Sequence, residues 1–125
     1  IGAIARKGNV TAQVIENIAG PVLERFVRQA VSERVDLVAT DEHTGYNTLK
    51  RRLPHKACSH STGQYVRGEV HTNNIESFWS LLKRGVMGTF HNVSKDYLPL
   101  YLAEFSFRHN ERENPDIFGA VVARC

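Results

Sequence analysis

The stretch HTNNIESFWSLLKRG, His71 to Gly85, carries Ile75, Phe78, Trp79 and Leu82 at the i, i+3, i+4, i+7 spacing of one buried helical stripe. Thr72 or Asn73 suits the start of that helix, and Gly85 stands where it would end. Glu76 and Lys83 are seven residues apart, so they stack two turns apart on a face bordering the stripe. A core helix with a solvated flank accounts for this pattern without any chemistry. The other reading is a carboxylate and an ammonium held at the rim of a core, and the upstream sequence bears on the choice.

Upstream lies VDLVATDEHTGY. Val35, Leu37, Val38 and Ala39 suit a short buried strand, with Asp41 just past its end. In open α/β sheets the ligand crevice lies outside the carboxyl ends of the strands, which places Asp41 well for chemistry. A turn or helix-cap acid is the plainer account of the same residue. Thirty-four residues lie between Asp41 and Glu76.

From the start of the chain, residues 1–6 read as a strand, Lys7-Gly8-Asn9 as a tight turn and residues 10–15 as an alternating second strand, together a hairpin. Gly20-Pro21 breaks the chain. Val22, Leu23, Phe26, Val27, Ala30 and Val31 then predict a helix through Ser32. A short helix is expected over 43–53, with Tyr46 and Leu49 inward, Lys50, Arg51 and Arg52 exposed, and Pro54 as its stop. KACSHS suits a short strand, STGQYVRGEV an exposed loop and MGTFHNV a connector. Ser94 is placed to cap a last long helix burying Tyr97, Leu98, Tyr101, Leu102 and Phe105, with Pro99 in its first turns. Asn114-Pro115 ends that helix, and 117–123 predict a small terminal one.

The 125 residues suit one domain, of ordinary globular composition at 42% apolar and 23% charged. No apolar run reaches membrane-spanning length and no signal-peptide pattern opens the chain, so a cytoplasmic protein with no membrane partner is expected. Cys58 and Cys125 are far apart, and reduced thiols are expected. A net charge of +3 is compatible with DNA without requiring it.

An acid ending a strand, a second acid on a helix and a Lys two turns later resemble the last parts of the catalytic set of Asp-Asp-Glu (DDE) transposases and retroviral integrases. The segments TDEHTGY, HSTGQYVRGEVHTNNIESFWSLLKRG and GTFHNVSKDYLPLYLAEFSFRHNER look most like bacterial insertion-sequence transposases related to Merlin elements. The resemblance implies an α/β fold, a ribonuclease-H-like mixed sheet flanked by helices. Asp41 matches the family's second acid, Glu76 its third, and Lys83 the basic residue that follows, with Asn73 or Asn74 an alternative for the third position. The family's first Asp lies on the first, central strand, in a DETY-like motif, and no such segment occurs here. The expectation is therefore a partial domain over 1–125, truncated at its N-terminus, with the first central strand absent.

By that resemblance the chemistry is phosphodiester cleavage and strand transfer during DNA transposition. Two Mg²⁺ (or Mn²⁺) ions about 3.5–4 Å apart would stabilise the attacking, leaving and non-bridging oxygens. Asp41 and Glu76 would be two of the three ligands, and Lys83 would bind DNA near the scissile phosphate. Arg51, Arg52, Arg67 and Arg84 are further phosphate-binding candidates. With one ligand missing, cations would be held weakly and this chain alone would be inactive. Absence of the first strand would leave a gap beside the acid-bearing strand, and open edges invite pairing with another chain, hence a homo-oligomer, or else a rearranged sheet. The alternatives are a DNA-binding or transposase-interaction remnant without catalysis, and a nuclease complete in itself with another acid in the missing place. His55, Cys58, His60 and His71 fit zinc spacings poorly, and a Cys nucleophile has no better support.

Overall fold

Strand β1 (Gly2–Ile4) and strand β2 (Val10–Ala12) form the expected antiparallel hairpin, with Gly2 opposite Ala12 and Ile4 opposite Val10. The computed structural model describes residues 1–6, 8–51, 53–58, 73–90 and 93–123. The turn closes where the Ala5 N–H donates to the Asn9 carbonyl and the Gly8 N–H to that of Ala5, both at 3.0 Å. Successive side chains of a strand face opposite sides, and β1 uses both. Ile1 and Ala3 pack with Phe26 and Val27 of helix α1 (Gly20–Ala30). Gly2 and Ile4 face helix α2 (Asn73–Gly85), where Trp79 and Ile75 close over Gly2.

Helix α1 begins at the Gly20-Pro21 break, with Pro in its first turn where the missing N–H costs nothing. Leu23, Phe26 and Val27 are its buried residues, and Val31 leaves the helix in an extended conformation. Strand β3 (Val38–Thr40) runs parallel to strand β4 (His55–Ala57), with Val38 opposite His55 and Thr40 opposite Ala57. A 3₁₀ helix over Thr44–Arg51 links them and packs along α1, with Leu49 fully buried and Tyr46 half-buried as expected.

The second core lies across β1 from the first. Phe78 of α2 is 1% exposed and clusters with Val10 of β2 and Leu102 of helix α3 (Leu98–Asn110), flanked by Ile75, Trp79, Leu82 and Phe105. The stripe read from the sequence is thus the buried face of α2. Helix α4 (Ile117–Val122) follows, capped by the Asp116 carboxylate accepting from the Gly119 N–H at 2.9 Å.

Several boundaries differ from expectation. The ladders are three residues long, because the apolar pattern outlasts the pairing: Val14 and Leu37 are 39% and 40% exposed. Gly85 does not end the helical winding, which continues through one π-helical turn over Val86–Phe90. Its role is close approach, since a Cβ there would collide with the Phe105 ring. Ser94 contributes its carbonyl, not a side-chain cap, by accepting from the Tyr97 and Leu98 amides. Tyr97 precedes the first helical turn and is 61% exposed rather than buried.

The result is a mixed α/β fold with two small sheets and several helices, and among the described residues the two sheets do not join. Ile1 and Ala5, which flank β1, hydrogen-bond to the β2 side, so Gly2 and Ile4 direct their backbone polar groups to the opposite edge. On the other sheet, the Val38 N–H and the Thr40 carbonyl bond to the β4 side, so Ala39 directs its groups to the edge away from β4. Both of these edges lack a strand partner among the described residues. The outer edge of β2 is covered differently. The Asn110 side chain accepts from the Val10 N–H at 2.7 Å and donates to the Val10 carbonyl at 2.9 Å.

Candidate functional site

Asp41 lies one residue past the carboxyl end of β3 and is exposed. Its Oδ1 accepts a hydrogen bond from the His43 N–H at 3.2 Å, an Asx turn that starts the chain into the 3₁₀ helix. The Gly45 N–H in turn donates to His43 Nδ1 at 3.1 Å. Gly45 is confined there: a Cβ would lie 2.6 Å from Leu23 Cδ1 and 2.9 Å from His43 Nδ1. Burial first, and the negative charge of Asp41 second, push the Tyr46 hydroxyl above the usual tyrosine range. The turn-acid account of Asp41 is therefore realised in one oxygen, while the carboxylate as a whole stays at the surface.

Behind Asp41 lies a polar contact that the sequence reading did not single out. Thr40 is the buried polar residue of this region, at 9% exposure. Its Oγ1 donates to the Asp41 carbonyl at 2.9 Å and lies 2.8 Å from His55 Nε2. Thr40 was legible only as the residue between the apolar run and Asp41, and His55 only as a poor zinc candidate.

Glu76 lies in the first turn of α2, with Lys83 and Arg84 in the last, and all three are exposed. Helical geometry places Glu76 and Lys83 on one face, about 10 Å apart along the axis. Arg51 ends the 3₁₀ helix and Asn73 opens α2. Lys7, Arg52, Arg67, His60, His71, Thr72, Cys125 and the stretch 61–70, expected as a loop, lie outside the described residues. Cys58 is a buried free thiol.

Among the described residues no three His, Cys, Asp or Glu side chains are grouped to hold a metal ion. No helix of the described residues is long and apolar enough to cross a membrane.

Residues 1–110 match the family model described as the ISXO2-like transposase domain. The chain belongs to this family. Membership implies a role in transposition and an interaction with DNA, and Asp41, Glu76 and Lys83 all fall within the matched span. This transposase domain is 29% identical over 108 residues to an uncharacterized transposase-like protein of Haemophilus influenzae, covering 86% of the chain and 85% of that protein. It is 41% identical over 80 residues to an uncharacterized protein in transposable element ISH50 of Halobacterium salinarum. That match covers 62% of the chain but 27% of the relative, so it takes in about a quarter of the relative's length. No solved structure matches the chain.

Proposed function

We propose that this transposase domain is the catalytic-fold portion of a DDE-type enzyme that acts on DNA, and that these residues alone do not carry out strand transfer. The observation that carries the reading is the family match over residues 1–110, with an exposed Asp41 at the carboxyl end of a parallel strand. In this reading Asp41 and Glu76 are two of three ligands for Mg²⁺ or Mn²⁺, which they hold weakly. Asn73 is the alternative third-position ligand. Lys83 and Arg84, at the far end of the Glu76 face, bind phosphates, joined by Arg51, Arg52 and Arg67.

The finer fold reading is a ribonuclease-H-like sheet lacking, within these residues, the strand between β1 and β3. Its support is the pair of unpartnered edges and the packing of Ala3 and Val38 against the same cluster of Phe26, Val27 and Leu49. Such edges favour pairing with another copy of the chain. A bacterial cytoplasmic location beside DNA follows from the same reading.

The test is incubation of the 125-residue chain with duplex DNA and Mn²⁺. Salt-sensitive binding without cleavage is expected. Cleavage abolished by Glu76→Ala would overturn the inactivity and indicate a nuclease complete in itself. The absence of binding even at low salt would overturn the function.

A second reading, a non-catalytic DNA-binding or transposase-interaction remnant, is favoured by the use of Asp41 Oδ1 in its own turn. It predicts DNA binding indifferent to Mg²⁺ and to Asp41→Ala.

A further inference from the structure

We propose that Thr40 and His55 are positioning residues for the Asp41 carboxylate, acting through the peptide that follows it. The inference rests on the reading of Asp41 as the acid of the site, and it adds two side chains that this reading does not include.

Proton counting gives the direction of the relay. Thr40 has one hydroxyl hydrogen, the Asp41 carbonyl can only accept, and the proposed relay gives that hydrogen to Asp41 at 2.9 Å. The 2.8 Å contact between Thr40 Oγ1 and His55 Nε2 is then a hydrogen bond only if Nε2 carries a proton and donates. His55 therefore holds Thr40, and Thr40 holds the Asp41 carbonyl. The backbone reinforces the same point, because the Thr40 carbonyl accepts from the Cys58 N–H at 2.8 Å on the neighbouring strand.

The carbonyl of Asp41 and the N–H of Glu42 share one rigid peptide plane. Pinning that plane fixes the chain direction toward His43, whose N–H binds Asp41 Oδ1 at 3.2 Å. Without the hydroxyl, the peptide after Asp41 is free to rotate about the Asp41 ψ angle, and the Asx turn loses its alignment. Burial strengthens the device, because Thr40 is sheltered from water that would otherwise compete for its hydrogen bonds.

The experiment uses amide hydrogen exchange by NMR on the 125-residue chain, reading the His43 N–H against a reference amide in α2 such as Leu82. Asp41→Ala removes the acceptor and sets the rate for a fully open turn. Thr40→Val keeps shape and removes the hydroxyl, while Thr40→Ser restores it. His55→Leu removes the donor, while His55→Gln places an amide N–H near the position of Nε2. The expected result is a three- to tenfold faster His43 exchange, relative to Leu82, in Thr40→Val and His55→Leu. The Ser and Gln variants should return to within about twofold of wild type.

Equal His43-to-Leu82 ratios in Thr40→Val and Thr40→Ser overturn the role of Thr40. Should Thr40→Val fail to fold, the His55→Leu and His55→Gln pair decides alone, and equal ratios there overturn the proposal. If the ratios move as expected while Asp41→Ala leaves metal-dependent DNA behaviour untouched, the positioning stands and the catalytic reading of Asp41 falls.

Discussion

The Asn110 side chain holds both backbone polar groups of Val10, a residue one hundred positions earlier, accepting at 2.7 Å and donating at 2.9 Å. An amide so placed mimics the next strand of a sheet and covers the outer edge of β2, where bare backbone would invite another chain. Asn110→Ala is expected to cost about 2 kcal/mol, from two hydrogen bonds to a part-buried backbone. Differential scanning calorimetry should show a fall in Tm of roughly 5–10 °C. A Tm unchanged within a degree would mean water replaces the amide at no cost.

The edges of β1 and β3 that face away from their paired strands have no strand partner among the described residues. Size-exclusion chromatography with light scattering is expected to give a dimer or larger species at micromolar concentration. A compact monomer throughout the dilution series would sink the self-association reading.

Lys83 and Arg84 occupy the exposed last turn of α2. If both contact phosphates, replacing them with Ala should weaken binding on all DNA sequences alike. It should also reduce the slope of log K against log salt by about two. An unchanged slope would place the DNA elsewhere on the surface.

His109 gives the fold an acid limit. Burial is the main cause that lowers its pKa below the ordinary 6.5, and the positive charge of Arg112 adds to it, partly offset by the backbone of Gly8. Its Nε2 is buried without a hydrogen-bond partner, and its ring stacks edge-on with Phe78, 5.7 Å between centroids. The folded state therefore favours the neutral ring, and the unfolded chain takes up the proton first. Stability from this group is complete above the unfolded pKa and is lost as pH falls through the depressed folded value. The Tm of wild type should fall more steeply between pH 7.5 and 5.0 than that of His109→Gln. Parallel curves would remove His109 from the account.

What the sequence disclosed was mostly local. The α1 stripe and Pro21, the hairpin of β1 and β2 and the α2 stripe each depend on neighbours within a few residues, and each has its expected place. What escaped depends on distant partners. Gly85 looked like a helix end because nothing nearby announces Phe105, and Asn110 was not singled out because Val10 is a hundred residues away. Alternation in Val10–Ile15 outlasted its partner strand, because a pattern of apolar residues does not record where pairing stops. Of the candidate site, Asp41 was visible from its place after the strand, whereas Thr40 and His55 meet only once β3 and β4 are side by side.

Strand β1 has a consequence for how the molecule comes apart. Ala3 on one of its faces, with Ile1 just before the strand, belongs to the core under α1, and Gly2 and Ile4 on the other to the core under α2. Losing those few residues strips a wall from both cores at once, so α1 and α2 melt as a single cooperative unit instead of in two stages.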